Sequence, residues 1–241
     1  MRYTGRNDEF FEVSYPNIKN HESLVHFKTH ELAIVWFLED GNQLIIDGTT
    51  YFFKKNDIVC LTAFNRITVE KLKVARLLKW DKHFYCVITN DSEVGCKGIL
   101  FYGATKLPVI HPSEKEIETL TTVWKVLEQE MSSYDNLQEE MLQMILKRIV
   151  ILCTRIYKSQ SDYKKVDHKN MDIIREYNFL VERHFKEKHT LSEYAELLFK
   201  APKTLSNLFK KLGNKTPLKF IQDRKMLEAK RLLSHSEKNG I

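Results

Sequence analysis

The sequence predicts an α+β protein: an antiparallel β-barrel or double-sheet jelly roll, then two helices, then an all-α helix-turn-helix domain. Three observations carry this. Short runs rich in Val, Ile, Phe, Tyr and Trp fill the chain up to about Pro108. From Ser113 the apolar residues recur at i, i+3, i+4 and i+7. The excess positive charge is confined to the end of the chain: residues 1–161 hold 20 Lys+Arg and 21 Asp+Glu, whereas residues 162–241 hold 18 and 11.

The strand runs are ELAIVWFL (31–38), NQLIID (42–47), TYFF (50–53), DIVCL (57–61), RITVE (66–70), VARLLKW (74–80) and FYCVIT (84–89). Glu39-Asp40-Gly41 and Asp47-Gly48 suit tight hairpins, because glycine accepts positive φ. Lys54-Lys55-Asn56-Asp57 reads as a polar turn. Many short strands at this spacing point to a barrel or jelly roll. Trp36, Phe37 and Phe53 are expected in its core rather than lining a pocket.

Pro108 and Pro112 mark the change of period. Ile117, Leu120, Val123, Trp124, Leu127 and Met131 form one helical face, and Ser113 with Glu116 fits a capping box. A second helix is predicted over 136–158, with a stripe of Leu137, Met141, Ile145, Ile149, Leu152 and Ile156. Met144, Leu146, Val150 and Ile151 widen it, so the face needs cover on more than one side. The strand domain provides one cover; the same helix of a second subunit provides the other in an isologous dimer. Residues 159–169 are polar, break the period and read as a linker.

In the last region Ile173, Ile174, Tyr177, Leu180, Val181 and Phe185 form one helix face. Thr190 and Glu193 form a second capping box, and Leu191, Tyr194, Ala195 and Leu198 line the helix behind it. Phe199-Lys200-Ala201 makes a turn, and Pro202 suits the first position of a new helix. Leu205, Leu208, Phe209 and Leu212 face inwards there. Lys203, Thr204, Ser206, Asn207, Lys210 and Lys211 face outwards, with no acidic residue from Pro202 to Leu212. This is the pattern of a helix-turn-helix that reads DNA. Asn and Ser can hydrogen-bond base edges, and Lys reaches guanine or phosphate. Thr216-Pro217 then opens another helix, in which Leu218, Ile221, Met226, Leu227, Ala229, Leu232 and Leu233 are expected to supply apolar contacts. Arg224, Lys225, Lys230 and Arg231 are expected to keep that helix basic. From Lys200 to Arg231 there are 10 basic and 2 acidic residues, a patch that attracts polyanions.

Other chemistry is weakly signalled. Cys60, Cys86, Cys96 and Cys153 are widely spaced, which fits buried reduced thiols. No apolar run is long enough to span a membrane, and the N-terminus lacks a signal-peptide core, so a cytoplasmic location with no membrane partner is expected. No nucleophile, base and orienting group come together in the sequence, so no enzyme is expected.

The run LSEYAELLFKAPKTLSNLFKKLGNKTPLKFIQDRKMLEAKRLL closely resembles the first helix-turn-helix and connecting helix of AraC-type transcriptional regulators. The markers are Ala195, Leu205-x-x-Leu208-Phe209-Lys210, Gly213, Thr216-Pro217, Ile221, Arg224 and Ala229-x-Arg231-Leu232-Leu233. Ala201 departs from the pattern, standing where a serine usually caps the recognition helix. Upstream, His26-x3-His30-Glu31, Leu44 to Gly48 and Lys55-Asn56-Asp57 resemble the family's cupin-like sensor domain. His26 and His30 are expected on one side of a strand, but Asn65 stands where a metal cupin would have a further histidine, so neither metal nor cofactor is expected.

The resemblance implies a sensor domain at 1–111, a helical dimerisation segment at 112–160, a linker at 161–169 and a DNA-binding domain at 170–241. It implies Lys203, Thr204, Ser206 and Asn207 at base edges, with Lys210, Lys211 and Lys215 on phosphates. Its partners would be double-stranded DNA, a second copy of the chain, a small-molecule effector of unknown identity and RNA polymerase. Members usually carry two such readers. Here the sequence stops at the threshold of the second, so weakened DNA binding and exposure of Met226, Leu227, Leu232 or Leu233 are expected. The alternative expectation is a sensor and dimerisation protein that no longer binds DNA and modulates full-length relatives.

Overall fold

The computed structural model describes residues 1–5, 9–28, 30–63, 65–85, 100–101, 107–160, 168–212 and 216–236, the side chains of 168–172, 175, 212, 227, 230, 231 and 233–236 excepted. The chain divides into two compact units. The first comprises Met1–Cys96 and Leu107–Lys164, the second Lys97–Lys106 and Lys165–Ile241.

The first unit holds β1 (Arg2–Thr4), β2 (Phe10–Ser14), α1 (Glu22–Val25), β3 (Glu31–Phe37), β4 (Asn42–Ile46), β5 (Thr49–Phe53), β6 (Ile58–Thr62), β7 (Ile67–Lys71), β8 (Ala75–Asp81), β9 (Val109–Ile110), α2 (Glu114–Glu130) and α3 (Gln138–Gln160). Among the described residues the strands form a six-stranded sheet, β1-β2-β8-β3-β6-β9, and a three-stranded sheet, β5-β4-β7. Every pairing is antiparallel. This is the double-sheet form of the expected α+β fold.

Strand alternation explains the layers. Ala33, Val35 and Phe37 of β3, Val59 and Leu61 of β6, and Ala75 and Leu77 of β8 meet Leu44, Ile46 and Phe53 in one apolar core. Phe37 and Phe53 stack at 4.3 Å across it. The other face of β3 is buried too, so all seven of its residues are inside. Trp36 meets Trp124 of α2 there, ring centroids 6.1 Å apart. A strand covered on both faces reads as a continuous apolar run, as ELAIVWF does.

The Asp47-Gly48 turn joins β4 to β5 with Ile46 opposite Thr49. Both turn residues have positive φ, 53° and 83°, the pattern of a type I′ hairpin. A Cβ on Gly48 would touch nothing within 4 Å. Gly48→Ala is therefore expected to cost about 1 kcal/mol through backbone conformation alone, read as a lower urea midpoint.

Several expectations need correction. Glu39-Asp40-Gly41 is not a hairpin between paired strands: β3 and β4 lie in different sheets, so the turn is a crossover. His26 and His30 do not share a strand. His26 caps the C-terminus of α1, and His30 has φ 71° just before β3. Phe84 lies in a turn, and most of FYCVIT lies outside the described residues. β1, β2 and α1 were not expected. The segment 161–167 lies outside the described residues, while His168 and Lys169, expected in the linker, are helical.

Asn65 accepts from the Thr62 N–H at 2.8 Å and donates to Asp47 Oδ2 at 3.1 Å, so it ties the β6–β7 turn to the hairpin. No cluster of His, Cys, Asp and Glu among the described residues could hold a metal ion. Cys60 and Cys153 are buried and free, and burial pushes the Cys153 thiol up to about 12. Cys86 and Cys96 lie outside the described residues. No helix among the described residues is long and apolar enough to cross a membrane.

On α3 the expected stripe divides. Ile145, Ile149 and Ile156 are buried within the chain itself, each 7% exposed or less. Leu152 is half-buried. Leu137, just before the helix, and Met141 are exposed, as is Met144. The free apolar surface is therefore confined to the start of the expected stripe, with Met144 beside it, while the later positions of the stripe lie inside the chain or are half-buried.

Candidate nucleic-acid interface

The second unit contains α4 (His168–His184), α5 (Leu191–Leu197), α6 (Pro202–Leu212) and α7 (Pro217–Ser236). Its core joins Ile174, Tyr177, Val181 and Phe185 of the α4 segment to Tyr194, Ala195, Leu205, Phe209 and Ile221. Tyr177 is the hub. Its ring lies 5.6 Å from Tyr194 and 4.9 Å from Phe209, both edge to face. Its hydroxyl donates to the Pro217 carbonyl at 2.8 Å. Burial pushes that phenol's pKa up, and the hydroxyl stays a donor at all ordinary pH.

Each helix starts where the sequence indicates. The Glu193 carboxylate accepts from the Thr190 N–H at 2.8 Å and hydroxyl at 2.7 Å, and from His189 N–H at 2.9 Å. The Thr190 hydroxyl bond, then those N–H bonds, hold Glu193 down to about pKa 2. This cap is complete above the ordinary carboxylate range and is lost only as pH falls towards 2. Thr216 Oγ1 accepts from Lys219 N–H at 3.2 Å to open α7.

The turn between α5 and α6 runs through Phe199. Its φ is 52°, the left-handed conformation that usually selects glycine after a helix. Phe199 N–H bonds the Glu196 carbonyl at 3.0 Å and Lys200 N–H the Ala195 carbonyl at 2.9 Å, which closes α5. Ala195 is 1% exposed, small where the helices approach. Phe199 itself is 93% exposed. Periodicity gives no signal for such a residue, because a turn has no face.

On α6 the inward and outward rows separate cleanly. Leu205, Leu208 and Phe209 are buried. Lys203, Thr204, Ser206, Asn207, Lys210 and Lys211 are all exposed. Positions 203, 206, 207 and 210 follow i, i+3, i+4 and i+7 and share one side of the helix. Lys215 lies outside the described residues, and Leu212's side chain does too. The N-terminus of α6 is closed by backbone bonds: Thr204 and Leu205 N–H reach the Ala201 carbonyl at 3.0 and 3.3 Å. Ala201→Ser is expected to stabilise this unit by about 1 kcal/mol through a new side-chain cap, measurable by thermal unfolding in far-ultraviolet circular dichroism.

The expectation for α7 is corrected at several points. Arg224 is not part of an exposed basic surface. It is 3% exposed, and its Nε donates to Glu182 at 2.7 Å and its Nη1 to Glu228 at 3.4 Å. Its guanidinium carbon lies 3.6 Å from the Phe185 ring centroid. Leu218, expected to make an apolar contact, is exposed, whereas Ile221 is buried; Met226 and Leu232 are exposed, as one of the two expectations for them had it. Ala229 is exposed as well. Leu227 and Leu233 have side chains outside the described residues.

The class of fold is thus an antiparallel double-sheet unit with two packed helices, followed by a helix-turn-helix unit. Among solved structures the chain is similar to the AraC-like transcriptional activator CuxR, with 13% identity and a TM-score of 0.37 over 92% of this chain and 75% of that one. It is also similar to ToxT from Vibrio cholerae O395 bound to (E)-4-(8-methylnaphthalen-1-yl)but-3-enoic acid, with 12% identity and a TM-score of 0.32 over 92% and 96%. A third is unsaturated fatty acid-bound wild-type ToxT from Vibrio cholerae strain SCE256, with 13% identity and a TM-score of 0.33 over 92% and 97%. At this identity and score no residue role is carried across. No protein-family model matches the chain, and no curated protein matches it.

Proposed function

We propose that the chain is an AraC-type, sequence-specific DNA-binding transcriptional regulator, with α6 lying in the major groove. The observation that supports this most is the surface of α6. Its exposed row is Lys, Thr, Ser, Asn and Lys, with no acidic residue from Pro202 to Leu212, on a helix whose other row is locked into a core. Lys203, Thr204, Ser206 and Asn207 read base edges, and Lys210, Lys211 and Lys215 hold phosphates. The strand-bearing unit senses an effector and carries the dimer contact. The exposed side chains Leu137, Met141 and Met144 are the apolar surface for a second copy. RNA polymerase is the further partner this reading implies.

The test is fluorescence-anisotropy binding of the full chain to a pool of genomic fragments at low and physiological salt. Selective binding that persists at the higher salt supports the reading. Binding that is absent, or unselective and lost with salt, rejects it in favour of a sensor and dimerisation protein without DNA binding. Asn207→Ala is expected to cost about 1–3 kcal/mol and relax preference at one base position, whereas Lys210→Ala weakens all sequences alike and lowers the salt slope by about 1. The reverse outcome would overturn the assignment of these two residues.

A further inference from the structure

On the face of the six-stranded sheet that α2 covers, Trp36 of β3 and Arg76 of β8 are direct cross-strand partners. The Arg76 guanidinium carbon lies 4.7 Å from the Trp36 ring centroid and 5.2 Å from that of Trp124. The two indoles meet nearly at right angles, 81°. The cation therefore sits in a corner with two aromatic walls. Cation–π attraction explains its position and leaves its Nε–H unserved.

Two buried donors in this corner have no acceptor among the described residues. Arg76 Nε and Trp36 Nε1 both lack a hydrogen-bond partner, and Trp36 is 3% exposed. Buried donors are almost always paired, so an orphaned pair beside a charge calls for a reason. The carboxylate that α2 brings to the cluster is already engaged. Glu128 accepts from Trp124 Nε1 at 3.1 Å and from the Tyr15 hydroxyl. Among the described residues no carboxylate pairs with Arg76. Arg76 is half-buried, so part of its side chain meets solvent while its Nε is inside.

We propose that Arg76 and Trp36 form a binding site for a small organic carboxylate. The Nε–H and one Nη–H of a guanidinium make a planar fork that matches the two oxygens of a carboxylate. The Trp36 N–H supplies a further donor to the same anion. The indole walls favour a flat, apolar body behind the charge. The site is distinct from the apolar core between the sheets, where Phe37 and Phe53 stack. The claim does not depend on whether the second unit reads DNA.

Indole N–H signals of the full-length, ¹⁵N-labelled chain test it. The chain has three tryptophans. Trp80 Nε1 already donates to the Tyr85 carbonyl at 3.1 Å, and Trp124 Nε1 to Glu128. Only the Trp36 signal, assigned with Trp36→Phe, should move by gaining an acceptor. Titration with benzoate is expected to shift it downfield and saturate. Benzamide, the neutral isostere, and sulfate should each bind at least about tenfold more weakly. Arg76→Lys keeps the charge but not the fork and should weaken benzoate by about tenfold, with the Trp80 and Trp124 signals in place. A benzoate shift that never saturates, or that benzamide reproduces, overturns the site. Sulfate binding as tightly as benzoate overturns the organic-carboxylate assignment. Should Arg76→Lys fail to fold, the contrast between benzoate and benzamide on the unaltered chain decides.

Discussion

Lys79→Met is expected to destabilise the strand-bearing unit by about 3–5 kcal/mol. Lys79 and Glu31 form an ion pair at 2.8 Å with side chains 5% and 6% exposed. The ammonium also donates to the carbonyls of Ser23 and His26, and so fastens α1 to the sheet. It lies 4.5 Å from the Phe27 ring centroid. Methionine keeps the aliphatic stem but strands the Glu31 carboxylate, which among the described residues then retains only the Lys28 N–H at 2.7 Å, and leaves two carbonyls without their donor. Urea unfolding followed by tryptophan fluorescence measures this directly, because Trp36, Trp80 and Trp124 all belong to the first unit. Lys79→Met with Glu31→Gln should recover a large part of the loss, since the uncompensated charge is its main cause. A single-variant loss below about 1 kcal/mol would show that water, not Lys79, compensates Glu31.

Arg224→Met should produce a comparable loss, about 3–5 kcal/mol, confined to the second unit. Arg224 joins α7 to Glu182 on α4 and to Glu228 on its own helix, and covers Phe185. Glu228 would lose this buried partner and keep the exposed Lys186 at the longer distance of 3.9 Å. Far-ultraviolet circular dichroism should show early loss of helix, while the tryptophan-reported midpoint stays where it was. Arg224→Lys should fall between the two, because lysine restores the charge without the fork. Equal shifts in both signals would contradict a fault local to this unit. Under the proposed function, DNA binding falls with the helices even though Arg224 touches no DNA.

The helix-turn-helix was legible because its signal is local. Leu205, Leu208 and Phe209 repeat at the helical period, Thr190 and Glu193 close a cap within one turn, and Pro202 sits at a first helical position. The longer strands were legible for the same reason, since β-branched and aromatic runs between turn residues declare themselves within a few positions. β1 and β2 were not, being short and placed by pairing: β2 is an inner strand only because β8 lies beside it. Phe199 was legible as a turn residue, but its left-handed backbone and exposed ring were not, because a turn leaves no period.

The sequence by itself determined the element types, the two-part α+β plan and the charge asymmetry, all set by periodicity, capping and composition over short spans. Only the tertiary structure decided which side chains those elements use. Arg224 reads as one more surface cation until Glu182, far away in the chain, closes on it. Ile145 and Met141 read as one apolar stripe until the fold buries the first and leaves the second in water. Arg76 reads as an ordinary strand residue until two indoles from separate elements enclose it. Burial and partnership are pairwise properties of residues distant in sequence, and no local pattern encodes them.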